Sequence, residues 1–499
     1  MIVNKNYYPT SLGFSAVSQM RDRFDTLQVQ LATGKNASQL SELGNNRSYD
    51  LNLRAVKSRI DGYSNSIQMV NLRLDFLDNA MSQLDQLEAD TRSSAAPGGY
   101  GSDNINLTSG PALAESRMQE LVSVLNLDVD GRYLFGGSKT DAPPVASVSA
   151  ILDGEGGRDG FRTIAAERLQ ADQGADGRGR LTVSRVTDTV TLDEDGSHPF
   201  GFKLSTLSSD SADVSLTAPS GDPASLSVQF TGTASAGDKI RVGLTLPDGK
   251  EQVIELTAVD GAPSSPFEFR VGASAELTAD NFEVALGSAL DHVGSRELAS
   301  ASNFAAAENF FNGVGETVQR VDGPPYDSAT GFVAATAADT VFWYTGEDSS
   351  DPRRTVSARV DEAVRANYGV QANESGIAEM MRNLAVMASS TFSASDETSG
   401  DRFDYIATQQ QARLAESNNG EPGSIEMITL DLGLARASTS AAQERHTAHG
   451  SQVDELLAGI EEAPIEQVAA ELLSLQTRLQ ASYETISQIS QLTLVNFLR

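Results

Sequence analysis

The chain has 499 residues, of which 39% are hydrophobic, so it is long enough for roughly two to four domains with cores of their own. Its net charge of −31 argues against nucleic acid or an anionic membrane as a partner, because both need Lys and Arg to displace their counterions. The sequence has no cysteine, which excludes disulfides, thiolate metal ligands and a cysteine nucleophile.

The N-terminal region predicts two amphipathic helices. Apolar residues from Val17 to Leu31 recur at steps of three and four, which predicts a helix over residues 10–33 that ends near Gly34. A polar loop is expected over residues 35–48. A longer helix follows, because the next apolar positions share one heptad register without a slip. These positions are Val56, Ile60, Tyr63, Ile67, Val70, Leu74, Leu77, Met81 and Leu84.

The middle of the chain changes from helical to strand-like patterns. A helix is expected near Pro111–Leu127, and Asp130–Gly131 predicts a turn before a short strand at Arg132–Phe135. From Ala142 to about Val271, short β-like runs alternate with Gly, Asp and Pro, which predicts an all-β, sandwich-like insertion. The expected strands include Leu181–Val186, Val190–Leu192, Ala224–Phe230, Lys239–Leu246 and Glu251–Thr257.

After the insertion, one or two helices are expected over residues 276–312 and strands over 341–345 and 355–360. The helical pattern then returns near Gly376. One register is shared by Ile425, Ile428, Leu432, Ala435, Ala442, Val453, Leu456 and Ile460.

The final segment predicts a helix with one apolar stripe. Pro464 occupies a position that tolerates proline at a helix start, and acidic residues lie near that end. The chain then ends in apolar residues, which need cover from the molecule itself or from a neighbour. The stripe consists of Ile465, Val468, Leu472, Leu475, Leu479, Ile486 and Ile489.

These elements predict a multi-domain fold in which paired N- and C-terminal long helices form a coiled-coil-like α-helical bundle that carries an inserted, mainly-β domain. We expect three domains. Residues 1–45 and 460–499 form the terminal helices. The long-helix bundle combines residues 46–140 with 340–459, and the mainly-β domain covers residues 141–339.

Several short segments resemble the flagellin family, and most closely its hook–filament junction branch, the hook-associated proteins of the bacterial flagellum. Residues 36–46 depart from the element that filament flagellins carry after their first helix, which favours the junction branch. The segments are Gln30–Lys35 (QLATGK), Asp130–Gly137 (DGRYLFGG), Phe200–Leu204 (FGFKL), Phe342–Gly346 (FWYTG), Tyr368–Asn373 (YGVQAN) and the C-terminal stretch Leu479–Leu498.

The resemblance implies a structural subunit that is not an enzyme and needs no cofactor. It implies secretion to the extracellular flagellum through the export apparatus, with a dedicated chaperone and without a cleaved signal peptide. Expected partners are copies of the chain, a hook-side junction protein and flagellin, and neither nucleic acid nor membrane. The predicted assembly interface, an inner layer of terminal helices, comprises Val17, Met20, Phe24, Leu27, Leu31, Val468, Leu472, Leu475, Leu479, Ile486, Ile489, Leu494 and Phe497.

Two alternatives share many of these features. One is a filament-forming flagellin, and the other is a secreted helical adhesin with the β domain as its binding module. The terminal heptads allow a seam within one chain or a seam completed between subunits. Because a single terminal helix is marginally stable alone, residues 1–45 and 460–499 are expected to order on assembly.

No metal or catalytic site is predicted. His446 and His449 lie three residues apart on a helix, a spacing that can hold a metal, but the sequence offers no third ligand. Packed or half-exposed helix histidines are therefore expected. Acidic loops such as Asp193–Gly196 lack the ligand spacing of an EF-hand and are interpreted as turns.

Overall fold

The computed structural model describes residues 8–312 and 317–497, with side chains described for 13–312 and 317–488. Helices make up 54% of the chain, with long helices towards both ends and a β-rich region between them. The chain divides into two compact units. Unit 1 comprises Met1–Val70, Arg359–Arg365 and Ser438–Arg499, and unit 2 comprises Asn71–Ala358 and Ala366–Ala437.

The described residues contain twelve α-helices. In chain order they are α1 (Tyr8–Thr33), α2 (Arg47–Ser94), α3 (Ile105–Leu125), α4 (Val148–Asp153), α5 (Phe161–Gln173), α6 (Ala275–Val293), α7 (Ala299–Phe310), α8 (Pro352–Thr355), α9 (Ser375–Ser389), α10 (Thr398–Arg413), α11 (Ile425–Glu461) and α12 (Ile465–Phe497).

The same residues contain fourteen short strands. They are β1 (Asp128–Val129), β2 (Arg132–Tyr133), β3 (Leu181–Val186), β4 (Thr189–Glu194), β5 (Lys203–Ser209), β6 (Val214–Gly221), β7 (Ala224–Phe230), β8 (Lys239–Thr245), β9 (Glu251–Val259), β10 (Glu268–Arg270), β11 (Gln319–Val321), β12 (Phe332–Ala334), β13 (Ser357–Arg359) and β14 (Arg365–Asn367).

The predicted long helices are confirmed. Helix α1 ends at Thr33, and Gly34 adopts the left-handed conformation expected of a C-cap, with φ of +72°. Helix α2 is 48 residues long, and its heptad stripe is buried at Ile67, Leu74 and Leu84 and partly buried at Val56 and Tyr63. Helix α3 begins earlier than expected and includes Pro111, because burial of Leu107 extends the helix upstream.

The stripe of α11 is largely confirmed, with one correction near its end. Leu432 and Val453 are buried, but Leu456 is 41% exposed and its neighbour Leu457 packs against α2 instead. In unit 1, Leu457 joins Val453 and the α2 residues Leu53 and Ile60 in one apolar cluster. The departure is confined to this position, because Ile460 of the predicted stripe packs against the same cluster.

The two helix histidines have different surroundings. His446 is buried in unit 1, stacks on Tyr63 at 5.3 Å between ring centroids, and its Nε2 lies 2.8 Å from the backbone oxygen of Val360. This is the packed arrangement that was expected. The heptad spacing also predicts His449 on the stripe of Leu432 and Val453, but His449 is exposed, so that prediction is wrong.

The β-rich part of unit 2 contains two four-stranded sheets that share one core with α6. The strand orders are β3-β4-β7-β6 and β10-β9-β8-β5, and Pro247–Gly249 lies in the hairpin connection between β8 and β9. The Phe282 ring of α6 contacts Phe230 of one sheet at 5.4 Å and Phe269 of the other at 5.3 Å between ring centroids. Helix α6 therefore helps to hold the sheets together.

The all-β expectation for residues 142–271 was wrong for two segments. Helices α4 and α5 lie there, and α5 buries Phe161, Ile164 and Ala171 at helical spacing. Residues 341–345 form no strand and contribute only an isolated bridge between Tyr344 and Val145. Their aromatic residues favour a strand by propensity, but tertiary packing overrides that preference. The three-domain division stays a prediction.

A half-buried carboxylate in unit 2 gives the fold a pH dependence. Burial raises the pKa of Glu88 on α2 from 4.5 to about 7, and the carboxylate of Glu426 on α11 adds to the shift. The folded state therefore retains a proton on Glu88 that the unfolded chain loses near pH 4.5. This group contributes its full stability below that pH and loses the contribution as pH rises through about 7.

We predict that Glu88→Gln raises the free energy of unfolding by about 1–2 kcal/mol at about pH 8, and by much less at about pH 4. The amide removes a charge that is poorly solvated in the folded state. Denaturant titrations followed by the fluorescence of Trp343, the single tryptophan, measure the change. Asp90→Asn, at an exposed position of the same helix, is the control. An equal gain at both pH values would contradict the prediction.

Candidate assembly interface and the segments that carry the resemblance

Helices α1 and α12 pack antiparallel in unit 1 around one buried leucine. Leu27 has no exposed surface and lies among Ala463, Val468, Leu475 and Leu479. The cluster also includes the partly buried residues Val17, Met20, Phe24 and Leu472. Both helices have an apolar stripe at steps of three and four, so pairing removes both stripes from water together.

Backbone hydrogen bonds close the end of this helix pair. The amide of Ala463 donates to the carbonyl of Gly34 at 2.9 Å, and the amide of Asn36 donates to Glu461 at 2.6 Å. The Asn36 side chain also donates to the carbonyl of Ile460 at 2.9 Å. These bonds join the connection after α1 to the connection before α12. The sequence indicated the turn at Gly34, but nothing in it pointed to Asn36 or Ala463.

One ion pair crosses the two helices. The Arg23 guanidinium donates to both carboxylate oxygens of Glu471 at 3.1 Å. Each side chain is 51% exposed, so the pair contributes little to stability, on the order of 0–1 kcal/mol. Its fork geometry instead favours one register of the two helices over neighbouring registers.

The structure brings most of the predicted interface residues together within a single chain. Leu27, Val468, Leu475 and Leu479 are buried. Leu31 is 39% exposed, although it belongs to the same stripe. The partly buried members are Val17, Met20, Phe24, Leu472 and Ile486. Three further members lie outside the residues whose side chains are described, namely Ile489, Leu494 and Phe497. A role for these residues between copies stays a prediction.

Several large apolar side chains of unit 1 remain exposed outside the α1–α12 seam. Phe14 is 63% exposed on α1 and Leu473 is 64% exposed on α12. Val29, Ile465 and Tyr483 are also exposed. Single exposed apolar residues are common on protein surfaces, and a contact between copies of the chain would draw on residues such as these.

Three of the segments that carry the resemblance meet in unit 2, although they are far apart in sequence. The amide of Ala372 donates to the carbonyl of Phe135 at 2.9 Å, and the amide of Gly137 donates to Val370 at 3.1 Å. The amide of Glu347, next to the third segment, donates to Gly136 at 3.0 Å. Gly136 must be glycine, because a Cβ there would lie 2.2 Å from the carbonyl oxygen of Lys139.

The turn in the first of these segments has the geometry of a two-residue hairpin. Asp130 and Gly131 both have positive φ, at 56° and 72°, between the paired strands β1 and β2. This conformation requires residues that tolerate a left-handed backbone, and Asp-Gly is among the pairs that do. The Asp130–Gly137 segment is thus a structural element with a defined conformation.

In residues 8–312 and 317–497, no three His, Asp or Glu side chains lie close enough to hold a metal ion. No helix in those ranges is long and apolar enough to cross a membrane. Neither protein-family models nor curated protein sequences gave any match to this chain.

We predict that Leu27→Ala lowers the free energy of opening α1 from α12 by about 2–4 kcal/mol, because it leaves a cavity in a fully buried position. Hydrogen–deuterium exchange of the α1 amides measures the effect. Val29→Ala is the matched control, since Val29 is on the same helix and 46% exposed. Equal loss of protection in both variants would show that the Leu27 contact does not hold the pair.

Proposed function

We propose that the protein is a structural subunit of the bacterial flagellum, which joins the hook to the filament by helical self-assembly. It would stack on copies of itself, on a hook-side junction protein and on flagellin. As the resemblance implies, the chain would reach the extracellular flagellum through the export apparatus with a dedicated chaperone. No catalytic step is part of this proposal.

The observation that carries the proposal is the pairing of α1 with α12. The apolar stripes of the two helices close on each other around Leu27, while Phe14 and Leu473 stay exposed. A helix pair with exposed apolar residues is suited to stacking against the helix pairs of other copies, because each copy offers the same surface to the next. The inner assembly layer of the proposed junction would consist of such pairs.

A second observation supports the assignment to the junction branch. The Asp130–Gly137 segment, which resembles that branch, forms a defined hairpin and hydrogen-bonds to the Tyr368–Asn373 segment. Each of the two segments resembles the same family, and they contact each other in the structure. This contact supports the proposal that together they form a structural element of that family. The β-rich region of unit 2 would face away from the inner layer in the assembly.

In this proposal the seam around Leu27 closes inside each chain, and contacts between chains use the exposed residues. This differs from a seam shared between subunits, which the heptad pattern alone also allowed. Ordering of residues 1–45 and 460–499 on assembly remains a separate prediction. Exchange of the α1 amides in dilute monomer and in assembled protein compares the two states directly.

We predict that Leu475→Asp abolishes filament attachment and leaves the β-rich region folded. A carboxylate at this 9% exposed position has no partner, which costs several kcal/mol and opens the α1–α12 pair. Cells that carry the variant should retain hooks and release flagellin into the medium. Far-ultraviolet circular dichroism of the purified variant measures the retained strand content.

Ser474→Asp is the control for this experiment. It adds the same charge to the neighbouring, exposed position of α12 and should leave filaments attached. Normal filaments on cells with Leu475→Asp would contradict the proposal. Loss of filaments with both variants would show that surface charge on α12, and not the buried seam, limits assembly.

A further inference from the structure

A small cavity in unit 2 is lined by two arginines from separate elements. Arg73 belongs to α2 and Arg132 to β2, and the cavity has a volume of about 30 Å³. A single water needs roughly 10–15 Å³ and drug-sized ligands occupy roughly 300–1,000 Å³, so this cavity suits a group of only a few atoms. The assembly proposed above does not require it. The other lining residues are Leu77, Tyr133, Leu134, Thr140, Val356 and Tyr368.

Neither arginine has a carboxylate partner. Among the described residues, the guanidiniums of Arg73 and Arg132 form no ion pair, although the chain has 68 acidic residues against 37 lysines and arginines. Two cations that line one cavity repel each other. An anion bound between them would turn this repulsion into attraction.

The Arg73 guanidinium is held in place and keeps donors for a ligand. Its Nη1 donates to the Tyr368 hydroxyl at 2.9 Å, and Tyr368 is 4% exposed, so this bond anchors the guanidinium to a packed residue. Its Nε and Nη2 make no hydrogen bond within the described residues, and neither atom is buried. Arg132 is exposed, so its guanidinium is accessible from solvent.

Two hydroxyl groups add to these donors. The hydroxyls of Tyr133 and Thr140 make no hydrogen bond with any described residue, and neither is buried. The amide of Tyr133 donates to the carbonyl of Thr140 at 2.9 Å, which holds the two residues side by side. Leu77 and Leu134 are buried and give the cavity an apolar wall. Hydrogen bonds to a charged ligand are stronger beside such a wall, because the local dielectric constant is lower than in water.

We propose that this cavity binds a phosphate group. A phosphate monoester carries a charge of about −1.5 to −2 at pH 7, which matches the two guanidiniums. Its oxygens point in several directions, as do donors that come from α2, β2 and the segment after β2. They would accept hydrogen bonds from Arg73, Arg132 and the hydroxyl of Tyr133. A planar carboxylate would match the fork of one guanidinium and leave the other unpaired.

Phosphorus NMR on the full chain tests the proposal, with inorganic phosphate and glycerol 3-phosphate as probes, each titrated alone. The resonance of at least one probe should broaden saturably as protein is added. Arg132→Gln should weaken that binding about tenfold or more, and Tyr133→Phe, which keeps the charge, about threefold. Binding of inorganic phosphate alone would support a site for the free ion, and binding of glycerol 3-phosphate would support a site for phosphate monoesters.

Arg270→Gln is the control, because Arg270 is exposed on β10 of the same unit and the substitution removes the same charge. It should leave phosphate binding unchanged. An equal loss in both arginine variants would show attraction to positive charge in general and would overturn the proposal. Absence of saturable broadening with the unaltered chain would also overturn it, as would an affinity unchanged by Arg132→Gln or by Tyr133→Phe. Displacement of the probe by an equal concentration of acetate would overturn it in favour of a carboxylate ligand.

Discussion

The contact between Leu27 and α12 is the interaction on which unit 1 depends. Two regions from opposite ends of a 499-residue chain meet there, and neither helix has a second apolar partner as extensive among the described residues. The hydrogen bonds from Asn36 and Ala463 fix the same pair at its closed end. Hydrophobic burial thus supplies the free energy that holds α1 against α12, and the polar contacts select the register of the two helices.

In the β-rich part of unit 2, aromatic side chains pack two small sheets together. Each sheet has only four strands and exposes one face of apolar side chains that must be covered. The Phe282 ring of α6 covers parts of both sheets by touching Phe230 and Phe269. The half-buried Glu88 shows that the helical part of this unit also tolerates a carboxylate at the expense of stability at high pH.

Heptad spacing predicted α1, α2, α11 and α12 well, because long periodic stripes have a single helical interpretation. The predictions for short segments were wrong for local reasons. The stretch around α5 was interpreted as strand-rich from its neighbours, and residues 341–345 have strand propensity without a strand partner. The Asn36 side chain donates to the carbonyl of Ile460, 424 residues away, and no single-sequence pattern encodes such a contact.

Immunogold electron microscopy of intact cells, with antibody raised against residues 145–340, tests the central claim most directly. These residues include the β-rich region, which would face outward from the proposed junction and remain accessible. Label confined to a narrow zone between hook and filament is the predicted result. Label along the whole filament would instead identify a filament-forming flagellin. Absence of label on the appendage would contradict both interpretations and favour a secreted adhesin.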